Sequence, residues 1–468
     1  MTGIVAVVAL TAGFVTEVTG GRLTGPASAT FTGVSIDSRT VGAGMLFVAI
    51  RGEHLDGHAF VEAAIHRGAA GVLVSTPVAL SGGAPVVQVP DTVAALQALG
   101  RAVRRHSAAR VVAITGSAGK TSTKELIADV LSARYRVMRN RGNLNNHIGL
   151  PLSLTELSSG PEIAVVELGM NHAGEIRTLV GLAEPDVRVW TNVGDAHIGY
   201  FGSREMVASA KAEILEHASS LTVAVVNADD PLVQAHARNF PGRIVTFGLD
   251  EGAAVRARSV VDRGFDGSRA VVETMTGSVA IKTNLPGRAH LMNALAATAV
   301  GDHFGVPLED IAARLSAAQP VPRRGAQHML ANGVRLIDDS YNASPAATIA
   351  MLQALASTKV EGRRIAVLGE MLELGEAALD LHDSCGRAAA GAGIDWLVAV
   401  GGPAADGYLA GAIAAGIPAE RTRRYPDSPS ACAPVVDLVK AGDLVLVKGS
   451  RGTKTDVIAD ALKAAGGR

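Results

Sequence analysis

Residues 113–127 read Ala-Ile-Thr-Gly-Ser-Ala-Gly-Lys-Thr-Ser-Thr-Lys-Glu-Leu-Ile, a near miss to a phosphate-binding loop. The usual pattern, G-x-x-x-x-G-K-[ST], needs a glycine where this chain has Ile114. What remains is the shorter Gly116-x-x-Gly119-Lys120-Thr121. Its context is nonetheless that of a phosphate loop, because an apolar run ends at Thr115 and a helical pattern opens over 122–133. Glycine lets backbone approach a phosphate closely, a helix N-terminus favours anions, and Lys120 adds a mobile positive charge. Thr121 can offer its hydroxyl to Mg²⁺. Thr115, Gly116, Ser117, Ala118, Gly119, Lys120, Thr121 and Ser122 are therefore the expected nucleotide contacts. The competing reading is a glycine turn with an incidental lysine.

Working outward, "VVAITG", "IAVVELG", "VRVWTNVG" and "LTVAVVNADD" are apolar runs that end in polar or glycine residues. Such runs read as parallel strands covered on both faces. In open α/β sheets ligands bind at the carboxyl ends of the strands, where these polar residues fall. Residues 253–283 alternate more and read as antiparallel strands, and "AHLMNALAATAVGDHFG" follows as a helix. Residues 91–107 place Val93, Leu96, Leu99 and Val103 at helical spacing and join the central region to a small α/β unit over 1–84. Pro320 and Pro322 mark a hinge, beyond which "VRLIDDS", "RIAVLG", "WLVAVGG" and "DLVLVKGS" form a second strand–helix series. The expected domains are 1–84, 85–319 and 320–468. The fold class is α/β: a small first domain, a central parallel sheet with an antiparallel extension, and a Rossmann-like third domain.

The 468 residues are 48% hydrophobic and 19% charged, as expected of a globular protein with sizeable cores. The balance of 43 basic and 44 acidic residues argues against general nucleic-acid binding. With only Cys385 and Cys432 there is no disulfide framework or cysteine metal spacing. The apolar start, "MTGIVAVVALTAGFV", lacks a basic n-region and is too short to span a bilayer, so it reads as a buried helix or strand. The cytoplasm is the expected location.

Other polar strand ends supply candidates. Glu167 closes one apolar run and, next to a phosphate loop, could hold Mg²⁺, a hard cation that prefers oxygen. Alone it would be a surface glutamate. His197 follows in "TNVGDAHIGYFGS", where a loop histidine is more often structural. "NADDP" at 227–231 is explained equally well by turn chemistry. Lys211 shares a helical period with Met206, Ile214 and Leu215, and a lysine on such a helix ordinarily faces solvent.

These residues together resemble the Mur ligase family, ATP-dependent enzymes that form amide bonds in peptidoglycan precursors. The short T-G-[ST]-x-G-K-T-[ST] loop is similar to the family's. "SIDSRTVGAGMLFVAIRGEHLDGHAF" resembles its nucleotide-sugar domain, and "NLNNHIGLPLSL", "VVELGMNHAGEI", "NVGDAHIGYFGS" and "AKAEIL" resemble its ATPase motifs. "DDSYNASPAA", "VLGEMLELGE" and "LVKGSRG" resemble its C-terminal domain. The set is similar to the member that adds D-alanyl-D-alanine to a UDP-N-acetylmuramoyl-tripeptide. The diamino-acid-adding member carries D-N-P-R, which this chain lacks, and a folylpolyglutamate synthetase lacks the UDP-sugar-like first domain. The alternative of another class is a phosphate-loop switch or binding module.

The resemblance implies ATP and Mg²⁺, with Lys120 on the β/γ-phosphates and Thr121 and Glu167 on the first metal. It matches His197 to the second metal site and Lys211 to a lysine carbamylated by CO₂ in many members. Asn145 and Asn146 are expected on the acyl-phosphate side, and Asn293, Asp339, Tyr341 and Asn342 at adenine and ribose. Arg324 is expected to face the γ-phosphate, although the neighbouring Arg323 competes for that role. Ser38 and Arg39 match UDP-sugar contacts, with a plain loop as the alternative, and Lys448, Ser450 and Arg451 match acceptor contacts. Ser344 departs from the asparagine common at its position. The implied partners are the UDP-muramoyl-tripeptide and D-Ala-D-Ala, no nucleic acid and no transmembrane segment, in a monomer.

Overall fold

The protein is described by a computed structural model over residues 7–78, 80 and 83–466. The first six residues of the apolar start lie outside that range. The rest of it leads into the helix Ala12–Thr19, which Thr11 caps by accepting from Phe14 N–H at 3.0 Å.

By contacts the chain forms two compact units, one of Met1–Ile114, Arg134–Arg188 and Glu213–Val223 and the other of Thr115–Ala133, Val189–Ala212 and Ala224–Arg468. In the first unit a five-stranded sheet has the order Arg22–Thr24, Val86–Gln88, Gly71–Val74, Leu46–Val48, Val34–Ser35. Only its Arg22–Thr24 edge runs antiparallel. The helix Thr92–His106 buries Leu96, Leu99 and Val103 and starts at Asp91, which accepts from Val93 N–H and Ala94 N–H. It packs against Gly149–Thr155 so closely that a Cβ at Gly100 would come 2.6 Å from the Pro151 carbonyl.

The nine-stranded sheet contains all four of the apolar runs, as Arg110–Thr115, Ile163–Glu167, Val187–Trp190 and Val223–Asn227. Its order is Ser278–Thr283, Ser268–Glu273, Val255–Asp262, Arg243–Gly248, Val223–Asn227, Val187–Trp190, Arg110–Thr115, Ile163–Glu167, Val137–Arg139. Apart from Arg110 the residues of those four runs are buried, as both-face coverage of parallel strands requires. The three strands at the Ser278–Thr283 end pair antiparallel.

The six-stranded sheet belongs to the second unit. Its parallel core, Arg335–Asp339, Leu444–Lys448, Arg364–Gly369, Trp396–Val400 and Thr422–Tyr425, is flanked by the antiparallel edge Ala326–Met329. The architecture is three-sheeted α/β with a Rossmann-like C-terminal sheet, as expected.

Candidate active site

In the second unit, the strand ending at Thr115 gives way to a loop whose glycines are indispensable. Gly116 has φ +153° and Gly119 φ +81°, in the region that penalises side chains. A Cβ at Gly116 would lie 1.9 Å from Thr191 Oγ1, and one at Gly119 2.6 Å from Asn293 Oδ1. The helix Lys120–Leu131 begins directly behind Gly119, two residues earlier than the 122–133 pattern suggested. Lys120 Nζ donates to the Gly116 carbonyl at 2.8 Å, so the ammonium rests over the loop it serves.

Asn192 fixes the front of the loop. Its carbonyl accepts from Ser117 N–H at 3.0 Å and its Oδ1 from Ala118 N–H at 2.9 Å. Those two loop amides are thereby committed to protein. Thr191 Oγ1 donates to the Ala118 carbonyl at 2.9 Å. Neither Thr191 nor Asn192 was singled out in the sequence. The signal was their place at a polar strand end.

His197 occupies a left-handed turn (φ +66°) and brings Nδ1 to 2.6 Å from Glu373 Oε2. The two atoms lie at contact distance, with Nδ1 buried and without an aligned hydrogen-bond partner. The imidazole beside Glu373 holds its carboxyl below the ordinary glutamate value, against the opposing effect of burial. Two residues before His197, Asp195 accepts both guanidinium arms of Arg204 at 2.5 and 2.6 Å.

Lys211 is 1% exposed, whereas Met206 on the same helix, Arg204–Ala212, is 56% exposed. The structure thus reverses the solvent-facing expectation for this lysine.

The two hinge arginines separate. Arg323 (φ +61°) turns to Asp456 and Asp460 of the helix Asp456–Gly466, at 3.0 Å from Asp460. Arg324 lies over the Tyr341 ring at 4.1 Å, and Arg451 reaches the same ring at 5.7 Å. Buried Lys448 donates to Asp339 Oδ2 at 2.6 Å and to the Asn342 carbonyl at 3.0 Å, tying it to the 339–342 segment. Ser450 Oγ accepts from Leu372 N–H at 3.0 Å.

In the first unit, Glu167 is 3% exposed and accepts from Asn145 Nδ2 at 2.8 Å. Its own N–H donates to Asn140 Oδ1 at 3.0 Å, and Asn140 in turn donates to the Leu144 carbonyl at 2.8 Å. Asn145 thus orients the carboxylate. Asn146 accepts from Ile148 N–H and Gly149 N–H at the start of the next helix. Arg39 clasps Asp37 with Nε at 2.9 Å and Nη2 at 2.7 Å, and this bonding lowers the Asp37 carboxyl to about 2. Ser38 lies between them in sequence, partly exposed.

The 227–231 segment combines turn chemistry with bonds to the neighbouring strand end, where Asp230 accepts from Val193 N–H and Asn227 donates to the Thr191 carbonyl. Asp230 accepts from Leu232 N–H and Val233 N–H at a helix start, and Asp229 from Leu249 N–H. Among the described residues no three His, Cys, Asp or Glu side chains gather as a ready metal cage. In the second unit the cradle at Gly116 and Gly119, which any Cβ would fill, and Thr121 at the helix start are groups of the kind a nucleotide-bound Mg²⁺ takes; in the first unit Glu167 is a buried carboxylate held by an amide donor.

Three family models match the chain: "Mur ligase family, catalytic domain" at 30–144, "Mur ligase middle domain" at 114–301, and "Mur ligase, glutamate ligase domain" at 323–451. The UDP-N-acetylmuramoyl-tripeptide--D-alanyl-D-alanine ligase of Bacillus subtilis is 36% identical over 428 residues, covering 91% of this chain and 92% of that protein. The chain belongs to the Mur ligase family. Among solved structures, MurF from Acinetobacter baumannii superposes with a TM-score of 0.87 at 31% identity, over 98% of this chain and 100% of that one. MurF ligase from Thermotoga maritima in complex with ADP gives 0.79 at 29% identity, over 93% and 97%. Family membership resolves the tension raised by Ile114. The shortened loop lies within the match to the middle domain, and here it keeps the strand, glycine conformations and helix start that a phosphate site requires. No helix among the described residues is long and apolar enough to cross a membrane.

Proposed function

We propose that this Mur ligase joins D-alanyl-D-alanine to UDP-N-acetylmuramoyl-tripeptide, converting ATP to ADP and phosphate in peptidoglycan precursor synthesis. The observation that carries this reading is the 36% identity, over 91% of this chain, to a ligase of that name, on a chain whose loop glycines are left-handed. We assign the UDP-muramoyl-peptide to the domain 1–84, ATP to 85–319, and a Rossmann-like partner role to 320–468. The protein acts as a cytoplasmic monomer.

The chemistry explains the residue types. A peptide carboxylate is a poor electrophile until its oxygen attacks the γ-phosphorus and displaces ADP, giving an acyl phosphate. The dipeptide amine then attacks the acyl carbon, the amide forms, a proton leaves the nitrogen and phosphate departs. Transfer of this kind depends on positioning and charge stabilisation. Lys120 neutralises the β/γ-phosphates from the helix start, and Gly116 and Gly119 allow backbone to approach them. Asn145 keeps the Glu167 carboxylate oriented, and Thr121 adds a hydroxyl for the same Mg²⁺. His197 and Lys211 serve a second cation; when bound, the two ions offset repulsion between the substrate carboxylate and ATP.

Burial supports the carbamate reading of Lys211. Desolvation disfavours an ammonium, carbamylation needs the neutral amine, and the product is an anion able to face a metal. Asn293, Asp339, Tyr341 and Asn342 hold adenine and ribose, with Lys448 bracing Asp339 and Asn342. Arg324 takes the γ-phosphate. Its stacking on Tyr341 leaves it available, while Arg323 is committed to Asp456 and Asp460. Ser38 and Arg39 contact the UDP-sugar, and Ser450 and Arg451 the acceptor.

Phosphate release should require both the UDP-muramoyl-tripeptide and D-Ala-D-Ala. Rapid ATP turnover with neither present would overturn the ligase reading and favour a nucleotide switch.

A further inference from the structure

The motif "VLGEMLELGE" has carried family resemblance so far but no chemical role. Its Glu373 meets His197 through backbone as well as side chain. Both residues are non-glycine yet left-handed, at φ +65° and +66°. Gly199 N–H donates to the Glu373 carbonyl at 3.0 Å. A Cβ at Gly199 would lie 2.6 Å from Gly375 N and 2.7 Å from Glu373 O, and Gly375 is itself left-handed at φ +58°. The turns 197–199 and 373–375 are therefore pressed together with room for glycine only. This contact fixes where the Glu373 carboxylate can reach, and it reaches Nδ1 of His197 at 2.6 Å.

An imidazole that binds a cation through one nitrogen needs its other nitrogen protonated and oriented, and a carboxylate is the usual means. We infer that Glu373 is a positioning residue for His197: its carboxylate, set against Nδ1, favours the tautomer protonated there and leaves Nε2 for the cation. The inference rests on the reading of His197 as a metal ligand. It gives the E-L-G of the motif a physical purpose, since the glycine permits the backbone contact and the glutamate supplies the charge. The C-terminal segment then completes the second cation site without ligating the cation.

The test uses the full-length protein with a non-hydrolysable ATP analogue and Mn²⁺ as the probe, read by electron paramagnetic resonance. Glu373→Gln keeps the side-chain length and removes the charge. Glu373→Asn withdraws the carboxylate while tolerating the left-handed turn. Each should weaken Mn²⁺ binding about tenfold or more, in the range lost when a ligand's outer partner is removed. Nucleotide affinity without metal should stay at the parent value. In ¹⁵N-histidine spectra, the signals that disappear in His197→Gln should show protonated Nδ1 in the parent and a mixture of tautomers in Glu373→Asn. If His197→Gln weakens Mn²⁺ binding but neither Glu373 variant does, the metal reading stands and the positioning role falls. If His197→Gln leaves Mn²⁺ binding unchanged, His197 is no ligand and both fall together.

Discussion

Lys120 and Lys211 occupy opposite physical settings in the same unit. Lys120 stands at a helix start, partly exposed, with its ammonium on the carbonyl of a loop glycine four residues earlier. Lys211 is enclosed near the end of the helix Arg204–Ala212, with 1% of its surface reachable. The first lysine, proposed to act as a cation, sits on a loop shaped by its own glycines and braced by Thr191 and Asn192. For the second, burial weakens the case for a cation and favours a neutral amine. A site assembled from local backbone and one assembled by enclosure should therefore respond differently to the same substitution.

The largest effect is expected at the local site. Lys120→Ala removes the charge that offsets the transferring phosphates, and kcat/KM should fall about 10³-fold, roughly 4 kcal/mol of barrier. Melting measured on the same variant separates this loss of rate from any loss of fold. Added small cations or carboxylates should not restore activity. Turnover within tenfold of the parent would show that helix start and glycines alone bind the phosphates, and the contrast with Lys211 would vanish.

Lys211→Ala comes next, with an expected loss of about 10²-fold in kcat, in line with damaged metal sites. The distinguishing result is rescue. Small carboxylic acids in the buffer should return part of the rate, because the missing group is an anion at the end of a long arm. A ¹³C signal from labelled CO₂ on the parent protein should disappear in the variant. Parent-like turnover in Lys211→Ala would make this a structural lysine that happens to be enclosed.

How much of this was legible in the sequence follows from the same contrast. The parallel strands were plain because strands covered on both faces are apolar along most of their length, as 111–114, 163–166 and 223–226 are. The loop was plain because its glycines, lysine and helix are contiguous. Lys211 was not, because burial of a helical face is decided by what packs on it. Exposed Met206 and enclosed Lys211 invert the ordinary preference of both side chains. The edge strands Arg22–Thr24 and Ala326–Met329 also escaped notice, being short and only partly buried, with little alternation to betray them. Asn192 and Asn140 escaped for a different reason: bracing residues carry no motif, and only the backbone they hold reveals them.

The neighbouring arginines at the hinge repeat the comparison at closer range, one residue apart. Arg324→Ala should lower kcat about 10²-fold, as loss of a phosphate-directed donor does, with a smaller change in ATP affinity. A parent kcat in Arg324→Ala would pass the phosphate role to Arg323 or to neither.

Arg323→Ala is expected to do the least. Its guanidinium bridges Asp456 and Asp460, but all three side chains are more than a third exposed, so water and salt screen the pairs. Exposed ion pairs of this kind are worth about 0–1 kcal/mol each. Because φ at 323 is +61°, the parent residue already sits in a conformation that disfavours side chains, and alanine neither relieves nor worsens this. The expected outcome is a melting point lower by about 3 °C or less at low ionic strength, a difference that shrinks in 1 M salt. Activity should stay within about twofold of the parent, since none of the bonds lost reaches the nucleotide residues. A 10²-fold loss of kcat with unchanged melting would mean that Arg323 leaves the two aspartates during turnover. The roles assigned to the two arginines would then be exchanged.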